Sequence, residues 1–148
     1  MPRIWVIHGP NLNLLGRRQP ELYGTSTLGD IDRRLAELAR SAGVELCCYQ
    51  SNHEGELVSW IQQAEGQAEL LLLNPGAYTH TSVALRDALL ACAVPAIEVH
   101  LTNPYRREPF RRRSLIADVV VGRVMGFGAR SYEIALQGGL LLLAERGR

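Results

Sequence analysis

LLLLNPGAYTHTSVALRDALLACAVPAIEVH, residues 70–100, holds two apolar runs, Leu70–Leu73 and Val94–Val99, on either side of a helix-spaced stretch from Ser82 to Cys92. Neither run alternates apolar with polar residues, as a strand with one wet face would. Each reads as a strand covered on both sides, and two such strands joined through a helix make a parallel crossover.

The same alternation continues outward from this unit. Upstream, Ile4–Ile7 and Val44–Tyr49 read as strands. Between them Leu28, Ile31, Leu35, Leu38 and Ala42 recur every three or four residues, with Thr27 as cap and Gly43 as stop. A further helix is expected from Glu54 to Ala64, a fifth strand at Val119–Val121, a turn at Gly122-x-x-x-Gly126-x-Gly128, and a last helix from Ala129 to Leu143, weakened by Gly138-Gly139. The expected architecture is a single α/β domain over residues 1–148: a three-layer, flavodoxin-like fold with a five-stranded parallel sheet of order 2-1-3-4-5. In that order the loops after strands 1, 3 and 4 (His8 to Thr25, Asn74 to Thr81, His100 to Ser114) converge on one crevice.

Composition narrows the function. Apolar residues at 47% and charged residues at 21% suit a soluble globular chain, and a net charge of +1 gives no reason to expect nucleic acid. Neither a signal peptide nor a membrane span is expected, which makes the cytoplasm the default location. Cys47, Cys48 and Cys92 read as buried structural thiols, and without paired Cys/His spacing no metal is expected. Lys and Arg total 16 and the arginines alone number 16, so there is no lysine. An imine on a lysine side chain is therefore excluded, as is a G-x-x-x-x-G-K-[ST] phosphate loop, and no cofactor is expected.

The loop after strand 1, GPNLNLLGRRQPELYG, is too long for a simple connection and reads as a lid carrying Asn11, Asn13, Arg17, Arg18 and Tyr23. A phenol of pKa about 10 is a poor base at neutral pH until a cation stabilises its anion. At about 4 Å and an effective dielectric near 20 that attraction is on the order of 4 kcal/mol, so an arginine beside Tyr23 qualifies it as a base. In Glu98-Val99-His100 the carboxylate and imidazole point to one face, where the carboxylate fixes the tautomer and stabilises the imidazolium of a general acid. After strand 3, Asn74 and His80 can hydrogen-bond ring hydroxyls, Thr79, Thr81 or Ser82 can cap the next helix, and its free N–H groups suit a carboxylate. Arg106, Arg107, Arg111, Arg112 and Arg113 supply candidate anion clamps in the third loop.

Four blocks then resemble the type II dehydroquinase family, from Ile4 to the last helix. They are GPNLNLLG with Gly16, Arg18, Pro20, Tyr23 and Gly24; QSN-x-EGELV from Gln50 to Val58; NPGAYTHTSVALRDA from Asn74 to Ala88; and EVHLTN followed by Arg107-Glu108-Pro109-Phe110-Arg111. Thr102 stands in place of the usual serine, and His8 where many members carry asparagine. The resemblance implies anti elimination of water from 3-dehydroquinate through an enolate, giving 3-dehydroshikimate in the shikimate pathway. It implies Tyr23 as base, Arg18 keeping it ionised, His100 as acid oriented by Glu98, and Asn11 holding a water against the enolate oxygen. It assigns Asn74, His80, Leu101, Thr102 and Arg111 to substrate and Asp87 to a site in an adjacent subunit, in a dodecamer built from trimers.

Two other readings fit the fold less well. A receiver module wants clustered acidic residues and a lysine, and a flavin carrier wants a Ser/Thr/Gly-rich phosphate loop after strand 1. A hydrolase using His100 lacks a serine or cysteine in a nucleophile elbow.

Overall fold

The computed structural model describes residues 1–17 and 19–147. In chain order the elements are β1 (Arg3–His8), α1 (Pro20–Tyr23), α2 (Leu28–Ser41), β2 (Glu45–Gln50), α3 (Glu54–Ala64), β3 (Leu70–Asn74), α4 (Val83–Ala91), β4 (Ala96–His100), β5 (Gly122–Met125) and α5 (Arg130–Arg146). Short 3-10 turns lie in the three long loops. The strands form one parallel sheet of order β2-β1-β3-β4-β5, as expected.

The apolar runs do not alternate because both faces of the sheet are covered. Ile4, Val6, Leu70, Leu72, Ile97 and Val99 pack against Leu35 of α2 and Tyr132 and Leu136 of α5. Their neighbours Trp5, Ile7, Leu71, Leu73 and Ala96 pack against Leu57 and Ile61 of α3 and Leu85 and Leu89 of α4. Leu70 to Leu73 are all fully buried. At about 1.5–3 kcal/mol per buried leucine, this strand is the centre of the apolar stabilisation.

Local chemistry sets the helix boundaries. Thr27 Oγ1 accepts from Asp30 N at 3.1 Å while Asp30 Oδ2 accepts from Thr27 N at 3.0 Å, a reciprocal cap opening α2. The chain leaves that helix through Gly43 at φ 71°. Its inner face is Ile31, Leu35 and Ala39, so Ala39 takes the place expected for Ala42, which lies exposed beyond the helix. Ser82 caps α4 by accepting from Leu85 N at 2.9 Å.

The fifth strand lies three residues later than the valine run suggests. Val119 and Val120 donate their amides to Ile116 O in a turn and pack beneath the α3–α4 layer, and Val121 N bonds Ala96 O. The ladder with β4 starts only at Gly122, which pairs with Ile97. Gly122 thus begins a half-buried edge strand; the turn follows at Gly126 and Gly128, both with positive φ. The last helix passes through Gly138-Gly139 without a break. A Cβ on Gly139 would sit 2.3 Å from Leu70 Cδ2, so the missing side chain lets α5 lie directly on β3.

The three cysteines are free and partly rather than fully buried. Cys47 packs toward one core layer and Cys48 toward the other, as strand alternation requires. No helix among the described residues is long and apolar enough to cross a membrane.

Candidate active site

The carboxyl ends of β1, β3 and β4 lie side by side, with His8 paired to Asn74 and Leu73 to Glu98. Gly9 N donates to Asn74 O at 2.7 Å, and a Cβ on Gly9 would meet Pro75 O at 2.6 Å. Only glycine allows the two loops to leave the sheet in contact. Above them lies a pocket lined from the first loop by Asn11, Leu12 and Tyr23, and from the second by Asn74, Gly76, Ala77 and His80. The third loop contributes His100, Leu101, Thr102, Arg107 and Arg111. Asn11 holds the left-handed conformation at φ 68°, which asparagine tolerates, and its backbone N–H donates to Asn52 Oδ1 at 3.0 Å.

At the pocket floor His100 Nε2 and Glu98 Oε2 are 2.6 Å apart, with Glu98 fully buried and His100 8% exposed. Glu98 also accepts from Thr79 Oγ1 at 2.6 Å, from Ser114 Oγ at 3.1 Å and from Arg123 Nε at 2.9 Å. Burial alone would raise this carboxyl. The His100 contact, the Thr79 hydroxyl and the Arg123 guanidinium overcome it and hold the group down at about 2. Glu98 is therefore a permanent anion behind His100, and His100 Nδ1 is left as the nitrogen to exchange a proton with anything in the pocket.

On the loop side, the Arg107 guanidinium carbon lies 5.4 Å from the centre of the Tyr23 ring. Arg107 also donates from Nη1 to Thr102 Oγ1 at 3.3 Å, which ties the lid to the end of β4. Arg18, expected as the cation for Tyr23, lies outside the described residues. His80 Nδ1 is 2.7 Å from Arg113 O, so that nitrogen carries a proton and the contact fixes the ring. Arg111 Nε donates to Glu108 Oε1 at 3.1 Å and stacks its guanidinium on Phe110, 5.1 Å from the ring centre.

The pocket thus gathers Asn11, Tyr23, Asn74, His80, His100, Leu101, Thr102 and Arg111, with Glu98 directly behind. It does not include Asp87, which is exposed on α4. Nor does the start of α4 face it; the segment Gly76–His80 does, and Thr79 supports Glu98 while Ser82 does the capping.

Four contacts escape a reading of the sequence. Arg123 faces Glu98 because β5 pairs Arg123 with Glu98, a register hidden once the strand was placed at the valines. Ser114 closes the third loop onto the same carboxylate. Arg107 reaches Tyr23 across two loops with no sequence signal. His8 and Tyr132 meet beneath the pocket from opposite ends of the chain. His8, Asp32 and Cys48 bring potential metal ligands within 4.8 Å of one another, but both His8 nitrogens are already committed to hydrogen bonds.

Residues 2–140 match the family described as Dehydroquinase class II. The 3-dehydroquinate dehydratase of Acaryochloris marina is 57% identical over 136 residues, covering 92% of this chain and 91% of that protein. The type II dehydroquinase of Propionibacterium acnes superposes with a TM-score of 0.91 at 38% identity, covering 95% of this chain and 97% of the other. That of Butyrivibrio crossotus gives 0.90 at 40%, covering 92% and 95%. A match of this extent reaches well past the common fold, and the chain belongs to the class II dehydroquinase family.

Proposed function

We propose that the chain is a 3-dehydroquinate dehydratase of type II, a hydro-lyase that removes water from 3-dehydroquinate to give 3-dehydroshikimate in the shikimate pathway. The observation that carries the reading is the buried Glu98–His100 pair opening into a pocket that also holds Tyr23. Elimination beside a ketone needs a base at the adjacent carbon and an acid at the departing hydroxyl. The Tyr23 phenolate takes the proton from C2, with Arg18 and Arg107 as the cations that favour its ionised form; Arg107 over the ring supports this. The electrons move into the carbonyl as an enolate, against which Asn11 holds a water.

His100 then gives its proton to the C1 hydroxyl, which leaves as water as the enolate re-forms the ketone and the ring double bond appears. One proton is taken and one returned, so the step balances without an external acid. The permanent charge on Glu98 supports the imidazolium that this demands. Asn74, His80, Thr102, Arg111 and the backbone of Leu101 bind substrate, and all line the pocket.

Asp87 serves a neighbouring subunit's site, in a dodecamer of trimers working in the cytoplasm. Its exposure on α4, away from the pocket of its own chain, supports the assignment. The test is direct: purified protein with 3-dehydroquinate should generate the ultraviolet absorbance of the conjugated enone. A protein that is folded and produces none refutes the reading.

A further inference from the structure

Beneath the pocket an ordered hydrogen-bond chain crosses the core from α2 to β3. Asp32 Oδ1 is 2.8 Å from His8 Nε2, His8 Nδ1 is 2.8 Å from the Tyr132 hydroxyl, and that hydroxyl accepts from Asn74 Nδ2 at 2.9 Å. Asn74 Oδ1 accepts from Gly76 N at 3.0 Å. His8 and Tyr132 are fully buried, while Asp32 is 32% exposed at the outer end.

Every proton in this chain is dictated by its neighbour. A carboxylate only accepts, so His8 Nε2 carries a proton toward Asp32; at the other end the Gly76 N–H only donates, so Asn74 turns its oxygen there and its nitrogen to the Tyr132 oxygen. The Tyr132 oxygen accepts from that amide, which leaves its own proton for Nδ1. Burial pushes the Tyr132 phenol up, outweighing the Asn74 contact, and so keeps that proton in place. A flipped Asn74 would set its oxygen against the Tyr132 oxygen and its nitrogen against the Gly76 N–H. Losing two buried hydrogen bonds disfavours that state by about a hundredfold or more.

We propose that Asp32, His8 and Tyr132 are positioning residues that lock the Asn74 amide, nitrogen on Tyr132 and oxygen on Gly76, so that the pocket meets it in one orientation. An amide's two ends are nearly the same shape but opposite in hydrogen bonding, so a hydroxylated ring is discriminated only if the amide cannot turn. The proposal rests on the reading of this pocket as the 3-dehydroquinate site.

The experiment is a double-mutant cycle on Tyr132→Phe and Asn74→Ala, paired with hydrogen exchange of the Asn74 side-chain amide. Tyr132→Phe should lower kcat/KM by about tenfold, mostly through KM, as the loss of one buried hydrogen bond requires. In the Asn74→Ala background it should cost no more than about twofold further. His8→Leu should behave as Tyr132→Phe does. His8→Asn, whose side-chain oxygen reaches the place of Nδ1, should recover most of the loss. Amide exchange at Asn74 should quicken by about tenfold in both Tyr132→Phe and His8→Leu.

Equal losses from Tyr132→Phe in the wild-type and Asn74→Ala backgrounds would mean general packing and overturn the proposal, as would unchanged amide exchange. The exchange measurement needs no turnover. A wild-type protein inactive on 3-dehydroquinate but with the protected amide would defeat the functional reading alone.

Discussion

Replacing Glu98 by glutamine keeps the shape of the side chain and removes its charge, and the expected loss can be sized from the contact. With the N–O distance at 2.6 Å, the charge centres of the carboxylate and an imidazolium stand about 4 Å apart. At an effective dielectric near 20 their attraction is on the order of 4 kcal/mol. The glutamine oxygen can still accept from Nε2, which retains a neutral hydrogen bond worth about 1 kcal/mol. The remaining ~3 kcal/mol is stabilisation available only to the protonated ring, so kcat should fall by about two orders of magnitude. KM should change by less than about threefold, because Glu98 lies behind His100 and does not line the pocket. Arg123 would lose its anion, and because its side chain is only 22% exposed solvent screens little of that cost, so Glu98→Gln should also lose on the order of 3 kcal/mol of stability. Steady-state rates of enone formation, with thermal melts confirming the fold, measure both effects. A folded Glu98→Gln protein with kcat within about threefold of wild type would refute the role of the carboxylate charge.

The same group predicts an acid limb for stability. Its folded pKa of about 2 lies below its ordinary 4.5, so the stabilisation, about 3 kcal/mol, is complete above about pH 5 and lost as pH falls through 4.5 toward 2. Urea unfolding should show that part of the slope missing in Glu98→Gln. Tyr23→Phe should fail to exchange the substrate's C2 proton with deuterated solvent, whereas His100→Ala should still exchange it while releasing product more than about a hundredfold more slowly. Exchange at the wild-type rate in Tyr23→Phe would remove Tyr23 as the base. Arg107→Met, which takes away the cation over Tyr23, should lower kcat/KM about tenfold or more in the same assay. The adjacent glycines of α5 should respond with opposite signs in calorimetry. Gly138→Ala meets nothing within 4 Å and should gain up to about 1 kcal/mol of helix propensity. Gly139→Ala runs into Leu70 and should lose about 1 kcal/mol or more net.

What could be read from the chain follows the range of the interactions involved. The unit from Leu70 to His100 was legible because its two buried strands, a hydroxyl cap among Thr79, Thr81 and Ser82, and the pair Glu98-x-His100 are all local patterns. β5 was not, because Val119–Val121 is the more apolar triplet and yet lies in and after a turn, with Val121 exposed, while Gly122–Met125 owes its strand to pairing with β4. Within the site, the family resemblance assigned Arg18 to Tyr23, and Arg18 lies outside the described residues. The cation described over that ring is Arg107, brought there by the folding of one loop over another. The partners of His8 lie 24 and 124 residues away, and no local spacing can signal contacts of that kind.

The placement of Arg123 shows why the sheet, more than the loops, carries the electrostatics of the site. Glu98 lies between β3 and β5, in register with Leu73 on one side and Arg123 on the other. A buried carboxylate needs a cation and hydrogen-bond donors to remain charged, and a loop that opens for substrate cannot hold them constantly. The neighbouring strand can, because its register is fixed by backbone hydrogen bonds. Side chains alternate faces along a strand, so a one-residue slip of β5 would turn Arg123 to the other side and bring Gly122 or Val124 opposite the carboxylate. The Gly122–Ile97 start of the ladder is thus tied to the acid chemistry three residues further along β4. Tyr23, at the end of the single-turn helix α1 inside the first loop, and Arg107, in the third loop, lie by contrast off the sheet, where the base and its cation can close over a substrate already seated on a floor of fixed charge.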